Sequence, residues 1–164
     1  MNSKKSVFSS ILFMLSVMLS AQYVEKSNSL NQEGALRLAM EANAEAQKLD
    51  KKVSIAVLNN SGVVLLLLKG DNVGPHNTEA SRRKAYTSFS TKNASWDLMH
   101  NAAKSTDARN LNTLSELLLL GGGMPVFQDG ILIGSIGISG GGSGENDHDI
   151  AKKTVEKLRF KITQ

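Results

Sequence analysis

The chain has 164 residues, 14 of them glycine and none cysteine, and carries a formal charge of +4 at pH 7. The absence of cysteine excludes disulfides, a lipid-modified cysteine and thiolate metal sites together. Lys4 and Lys5 account for two of the 19 basic residues, so the chain beyond Ala21 holds 17 basic residues against 15 acidic ones, a net +2. With no basic stripe interleaved with aromatics, that balance leaves no footprint for nucleic acid.

Met1–Ala21 has a short basic start, an apolar stretch from Val7 to Leu19 and a small-residue end at Ser20-Ala21. That is the order of a secretory signal, and it predicts cleavage after Ala21 and a periplasmic or secreted protein. The apolar stretch is interrupted by serine and is shorter than the ~18 residues a membrane span needs, so export is expected rather than stable membrane insertion. Gln22–Gln164 then has the length of one ordinary domain.

Ser29-Leu30-Asn31-Gln32 offers a capping box for a first helix, in which Ala35, Leu38, Ala39, Ala42, Ala46 and Leu49 recur on one face. A stripe made mostly of alanine predicts a helix lying close against a sheet. Val53–Leu58 and Val63–Leu68 are β-rich runs separated by the turn-forming Asn59-Asn60-Ser61-Gly62, and they read as a hairpin. Leu65–Leu68 does not alternate, which predicts a strand covered on both faces by helices or by another subunit. The Gly70–His76 loop precedes a helix starting near Glu79, capped by Asn77 or Thr78. Ser95–Lys104 reads as a further helix with Trp96 and Met99 on its inner side. Asn110–Leu120 is either a helix turn or a buried strand.

From Gly121 to Asp149 the chain holds most of its glycines. Val126-Phe127-Gln128, Asp129-Gly130 and Ile131-Leu132-Ile133 form an apolar run, a two-residue type I′ loop and a second apolar run, hence a second hairpin. Alternation beyond the turn puts Ile131, Ile133, Ser135 and Gly137 on one face, and Leu132, Gly134, Ile136 and Ile138 on the other. Glycine inside that strand predicts the close approach of a backbone or a ligand. Neither glycine cluster has the P-loop or dinucleotide spacing, so a phosphate cradle is not indicated; Gly140–Gly144 reads as a flexible connection. Asn146 can cap a last helix with Asp147 and Asp149 in its first turn and Ile150, Ala151, Val155 and Leu158 as its buried stripe. Helices separating two hairpins give an α+β fold on an antiparallel sheet of about five strands.

Three groups of residues can carry chemistry. His76 lies in a Gly-Pro loop at a helix start, where an imidazole can ligate iron, including haem iron, or can be a solvated loop histidine. Arg82, Arg83 and Lys84 can hold ligand carboxylates, form a solvated helix face or make ion pairs across a subunit contact. Glu145, Asp147, His148 and Asp149 can hold a hard metal or form the acidic first turn of a helix. His100 reads as a surface residue, and Trp96 as core.

The segments SIAVLNNSGVVLLLLKGD, GPHNTEASRRKAYTSFSTK, LLGGGMPVFQDGILIGSIGISGGG and the following END, in this order, resemble the GlcG/HbpS haem-binding family, related to a domain attached to some cobalamin adenosyltransferases. The resemblance covers Gln32 to Leu158. It implies a profilin-like α/β sandwich, assembly into homo-oligomers and haem as cofactor. On the positions that match the family pattern, it implies His76 as a ligand of haem iron, Arg83 and Lys84 as haem-binding cations, and Gly122, Gly123, Gly137, Ser139 and Gly140 as lining. The family often has Asp at the position of Asn59 and Thr at that of Asn77. The function implied is an exported protein that senses, stores or degrades haem. A weak haem-degrading activity, an enzyme or accessory protein acting on a small organic acid with His76 moving a proton, and an oligomeric interaction module are the alternatives.

Overall fold

The structure, a computed structural model, describes residues 27–164. The expected leader, Met1–Ala21, lies outside the described residues. In chain order the elements are α1 (Gln32–Gln47), β1 (Ser54–Asn59), β2 (Val64–Leu68), α2 (His76–Thr91), α3 (Ser95–Lys104), α4 (Thr106–Arg109), a 3-10 turn (Asn110–Thr113), β3 (Gly123–Gln128), β4 (Ile131–Ser139) and α5 (Gly144–Lys157). Among the described residues no helix is long and apolar enough to cross a membrane.

The strands form one antiparallel sheet in the order β2-β1-β4-β3. Among the described residues it has four strands, not about five. Asn110–Leu120, the candidate for another strand, instead continues from α4 through the 3-10 turn into a loop that buries Leu117 and Leu119. The β3–β4 connection has the backbone that Asp-Gly predicts, with φ of 52° at Asp129 and 75° at Gly130.

One face of the sheet carries α1 and α5. Ala35, Leu38, Ala39 and Ala42 of α1 and Ile150 and Val155 of α5 enclose Ile55, Val57, Ile136 and Ile138. The alanine stripe lets α1 approach the strands closely, as expected. Its ends differ from the expectation. The capping group is Asn31, whose side-chain oxygen accepts the Gly34 N–H at 2.9 Å, while Ser29 donates its hydroxyl to the Leu30 carbonyl. The helix stops at Gln47, so Leu49 is off the stripe and 41% exposed.

The alternation along β4 is broken. Val126 pairs with Gly134 but Phe127 pairs with Leu132, which leaves Ile133 as the extra residue of a β-bulge. Ile133 therefore joins Ile136 and Ile138 in the α1/α5 core, while Ser135 and Gly137 point to the opposite face. That face carries α2, which packs over β4, β1 and β3. It leaves β2 at the rim, so helices of this chain leave Leu67 and Leu68 exposed.

Candidate functional site

Helix α2 lies on a floor made for it. A Cβ added at Gly137 would fall 2.0 Å from the Ser81 carbonyl oxygen, and one at Gly123 would fall 2.1 Å from that of Lys84. Only hydrogen fits between helix and strand at these two positions. The close backbone approach predicted for the strand glycines is present, and the approaching group is the helix itself. Ser135 adds a hydroxyl hydrogen bond to the Ala85 carbonyl at 2.8 Å.

Lys84 points down into this contact. Its ammonium donates to Asp147 Oδ2 at 2.8 Å, to the Ile138 carbonyl at 3.1 Å and to Ser139 Oγ at 3.4 Å. An ammonium has three hydrogens, and protein acceptors take all three. Asp147 uses its other oxygen to accept the Gly141 N–H at 2.7 Å, and Ser139 donates to Asn77 Oδ1 at 2.8 Å. The network joins the start of α2, the end of β4, the glycine loop and the first turn of α5. Gly122, at φ 121°, closes over it, since a Cβ there would meet the Ile138 oxygen at 2.3 Å.

His76 is the first residue of α2, which begins three residues earlier than the pattern around Glu79 predicts. Pro75 stands at the cap, and the Asn77 and Thr78 N–H groups close onto the Gly74 and Pro75 carbonyls. Proline's fixed φ suits a helix start and removes one unsatisfied donor. The His76 ring folds over Gly74, where a Cβ would meet its Cε1 at 2.9 Å, and the imidazole is exposed. Arg83 follows seven residues later, two turns along the same face of the helix. Its Nη2 donates to the Leu117 carbonyl at 2.6 Å, but its Nε is buried without a partner. Leu118 N–H binds Thr87 Oγ1 at 2.8 Å, so the Leu114–Leu120 loop is tied to this face by two bonds. Arg82 faces elsewhere and is committed to Glu79 and Glu116, which raise its pKa.

The acidic residues around His148 do not converge. Asp147 belongs to Lys84, Asp149 faces Lys153 at 3.7 Å, and among the described residues no group of three His, Asp or Glu side chains can hold a metal. They lie in the first turns of α5, which starts at Gly144 under a Ser143 cap rather than at Asn146, because Ser143 Oγ accepts the Asn146 N–H. His148 stacks on Trp96 with ring centroids 5.5 Å apart, and its Nδ1 is buried without a partner. Burial lowers its pKa, against the pull of Asp97 and Asp149. His100 meets the Trp96 ring edge-on at 4.6 Å, so Trp96 lies in contact with both histidines. Asn59 Oδ1 accepts the Ser61 and Val63 N–H groups at 2.9 Å; a turn-building oxygen is what that position uses.

The structure thus separates the candidate residues. His76 and Arg83 share one face of α2, the imidazole exposed and the Arg83 Nε buried under the Leu117 loop, while Lys84, Ser139, Gly122, Gly123 and Gly137 form the packed support below; Gly140, at φ 113°, lies apart, against Val73 and the Lys52 carbonyl. Asp147 and Asn77 complete that support, and no sequence spacing linked them to Lys84.

These features define a class of small α+β sandwich domains, in which one helix is seated on strand glycines and the opposite face carries two. The chain belongs to the family described as "Haem degrading protein HbpS-like", matched over residues 30–156. A crystal structure of an HbpS double mutant from Streptomyces reticuli superposes with a TM-score of 0.76 at 32% identity, covering 82% of this chain and 90% of that one. A crystal structure of a PduOC–haem complex superposes with a TM-score of 0.75 at 26% identity, covering 83% and 99%. The protein GlcG of Escherichia coli is 33% identical over 112 residues, 67% of this chain and 81% of GlcG. The chain spans only 42% and 37% of the corrinoid adenosyltransferases PduO of Citrobacter freundii and Salmonella typhimurium.

Proposed function

We propose that this chain is an exported haem-binding protein of the HbpS type that holds haem at the His76 end of α2. The observation carrying this reading is the placement on one helix face of an exposed imidazole, His76, and a guanidinium whose Nε–H has no partner, Arg83. Membership of a haem-protein family, with a relative crystallised as a haem complex, supports the choice of ligand. The donor set fits it: an imidazole suits iron, and a guanidinium suits a propionate carboxylate. Lys84 lies outside that set because its hydrogens are taken, and it acts by fixing α2 on the sheet.

When bound, haem supplies a redox-active iron and strong visible absorption. The chain's residues bind and orient: His76 from a helix start fixed by Pro75, and Arg83 from beneath the Leu117 loop. Sensing, storage or degradation would all begin with this binding step. The leader-like Met1–Ala21 supports export to the periplasm or outside the cell, and the apolar rim of the sheet supports a homo-oligomer.

Titration of the purified chain with haemin tests the reading. A saturable Soret shift is expected, and no shift in either oxidised or reduced haem would overturn it. The unspent Arg83 donor also fits the carboxylate of a small organic acid. A thermal-shift screen in which such acids stabilise the protein and haemin does not would favour an enzyme or accessory protein instead. Fractionation of cells expressing the full chain tests export.

A further inference from the structure

Two arginines of α1 and α2 show how the side chain is used when a carboxylate lies beside it. Arg82 gives its Nε and Nη2 hydrogens to the two oxygens of Glu79, at 3.0 and 2.7 Å, and Arg37 turns the same edge to Glu33. The two oxygens of a carboxylate match the guanidinium fork. Arg83 presents that edge to a single atom instead. Its Nη2 donates to the Leu117 carbonyl at 2.6 Å, while Nε is buried with no acceptor. One carbonyl oxygen thus half fills a place for two, and the orphaned N–H is a cost to the folded chain.

The carbonyl belongs to the Leu114–Leu120 loop, which crosses α2 on its way to β3. The far end of this loop is fixed, since Ser95 Oγ donates to the Leu120 carbonyl at 2.6 Å. Its middle is held on α2 by the Arg83 bond, by the Leu118 N–H donating to Thr87 Oγ1 at 2.8 Å, and by the Arg82–Glu116 pair at 2.9 Å. Glu116 is exposed, so that pair contributes little. Leu117 and Leu119 are buried beneath the loop, whereas Leu114 faces solvent.

We infer that the Leu114–Leu120 loop is an autoinhibitory strap: the Leu117 carbonyl holds the place of a ligand carboxylate on Arg83, and Thr87 sets how strongly the strap competes with that ligand. This rests on the reading of Arg83 as the carboxylate partner. A carboxylate wins the exchange because its charge-assisted bond to a guanidinium is roughly twice as strong as a neutral one, and because its second oxygen takes up Nε as well. The Leu117 and Leu118 backbone groups, once released, are satisfied by water. Re-exposure of Leu117 and Leu119 opposes the release and returns the strap when the ligand leaves. Thr87 acts through Leu118 and is therefore a positioning residue.

Thr87→Val keeps the shape of the side chain and removes the acceptor of Leu118. Thr91→Val is its control: Thr91 donates to the Thr87 carbonyl at 2.7 Å as Thr87 does to the Arg83 carbonyl at 2.8 Å, but Thr91 holds no part of the strap. Thr87→Val should bind haemin about two- to tenfold more tightly than the native chain, the worth of one hydrogen bond, with Thr91→Val unchanged. A tighter complex on deleting a buried contact is an effect that a merely structural role would not produce. In the native chain the Leu118 amide should exchange with deuterium several-fold faster when haemin is bound. It should do the same in propionate against chloride of equal ionic strength. Unchanged or weaker haemin binding by a Thr87→Val variant that circular dichroism shows to be folded overturns the strap. So does a Leu118 amide that exchanges no faster in either haemin or propionate. Faster exchange in propionate with no Soret shift keeps the strap and overturns haem as the ligand.

Discussion

Lys84 and Asp147, 63 residues apart in sequence, form an ion pair at 2.8 Å with side chains only 4% and 6% exposed. The pair is fully hydrogen-bonded on both sides, through Ile138 and Ser139 for the cation and Gly141 for the anion. It ties the middle of α2 to the first turn of α5 across the end of β4, so the face carrying His76 and Arg83 is held against a fixed base.

Removing one partner should therefore cost far more than removing both. Asp147→Asn or Lys84→Met leaves a buried charge or acceptor unmatched and is expected to destabilise by about 3–5 kcal/mol. The double variant Lys84→Met/Asp147→Leu should be less destabilised than the sum of its single changes. Urea denaturation of the three variants measures this coupling, and additive losses would contradict it.

The seating of α2 on glycine yields a second expectation. At Gly137 a methyl group would meet backbone on both sides, Ser81 O at 2.0 Å and Ala85 N at 2.6 Å, and neither can move without lifting the helix. Gly137→Ala should cost about 3 kcal/mol or more, at or beyond the upper end of overpacking penalties. Gly130→Ala meets nothing within 4 Å and is strained only by its φ of 75°, so about 1–2 kcal/mol is expected. Thermal melts that rank the two in the opposite order would show that α2 sits loosely.

His148 gives the fold a pH dependence of known sign. Burial depresses its folded pKa below the ordinary 6.5, so the unfolded chain binds the proton more readily. Its contribution is complete above about pH 6.5 and is lost as the pH falls toward the folded value. The melting temperature should fall on acidification below that point, and His148→Asn should flatten the fall. Trp96, the chain's one tryptophan, touches the ring and reports the same transition by fluorescence. Equal slopes for the native protein and His148→Asn would assign the acid sensitivity to other groups.

What the sequence made legible was local. Asp129-Gly130 announces its turn because the two residues alone satisfy the backbone that a type I′ loop demands, and the α1 stripe announces its buried face by spacing. Ile133 was misplaced because a bulge exists only in the pairing of two strands and leaves no mark in one of them. Lys84 read as a ligand-facing cation beside Arg82 and Arg83, since nothing in the spacing points to Asp147. Adjacent helix positions differ by about 100°, so three consecutive cations were bound to face three ways. They meet an acidic pair, the Leu117 carbonyl and a buried carboxylate. The trio's shared charge was legible; its division of labour required the sheet beneath.

That division supports a test of the haem reading residue by residue. His76 is exposed beside Gly74, so His76→Ala should leave circular dichroism and assembly unchanged. If the imidazole ligates iron, the variant should lose the imidazole-type absorption and electron-resonance signature of the haemin complex. Arg83→Ala removes a charge-assisted donor rather than an iron ligand, and should weaken haemin binding while leaving that signature in place. It also breaks the bond to Leu117, so Arg83→Lys, which keeps the charge and loses the planar fork, should restore binding in part. An unaltered spectrum from His76→Ala would move the iron ligand elsewhere and return His76 to a solvated helix start. Unaltered affinity from Arg83→Ala would leave its buried Nε as a packing feature of the Leu117 loop.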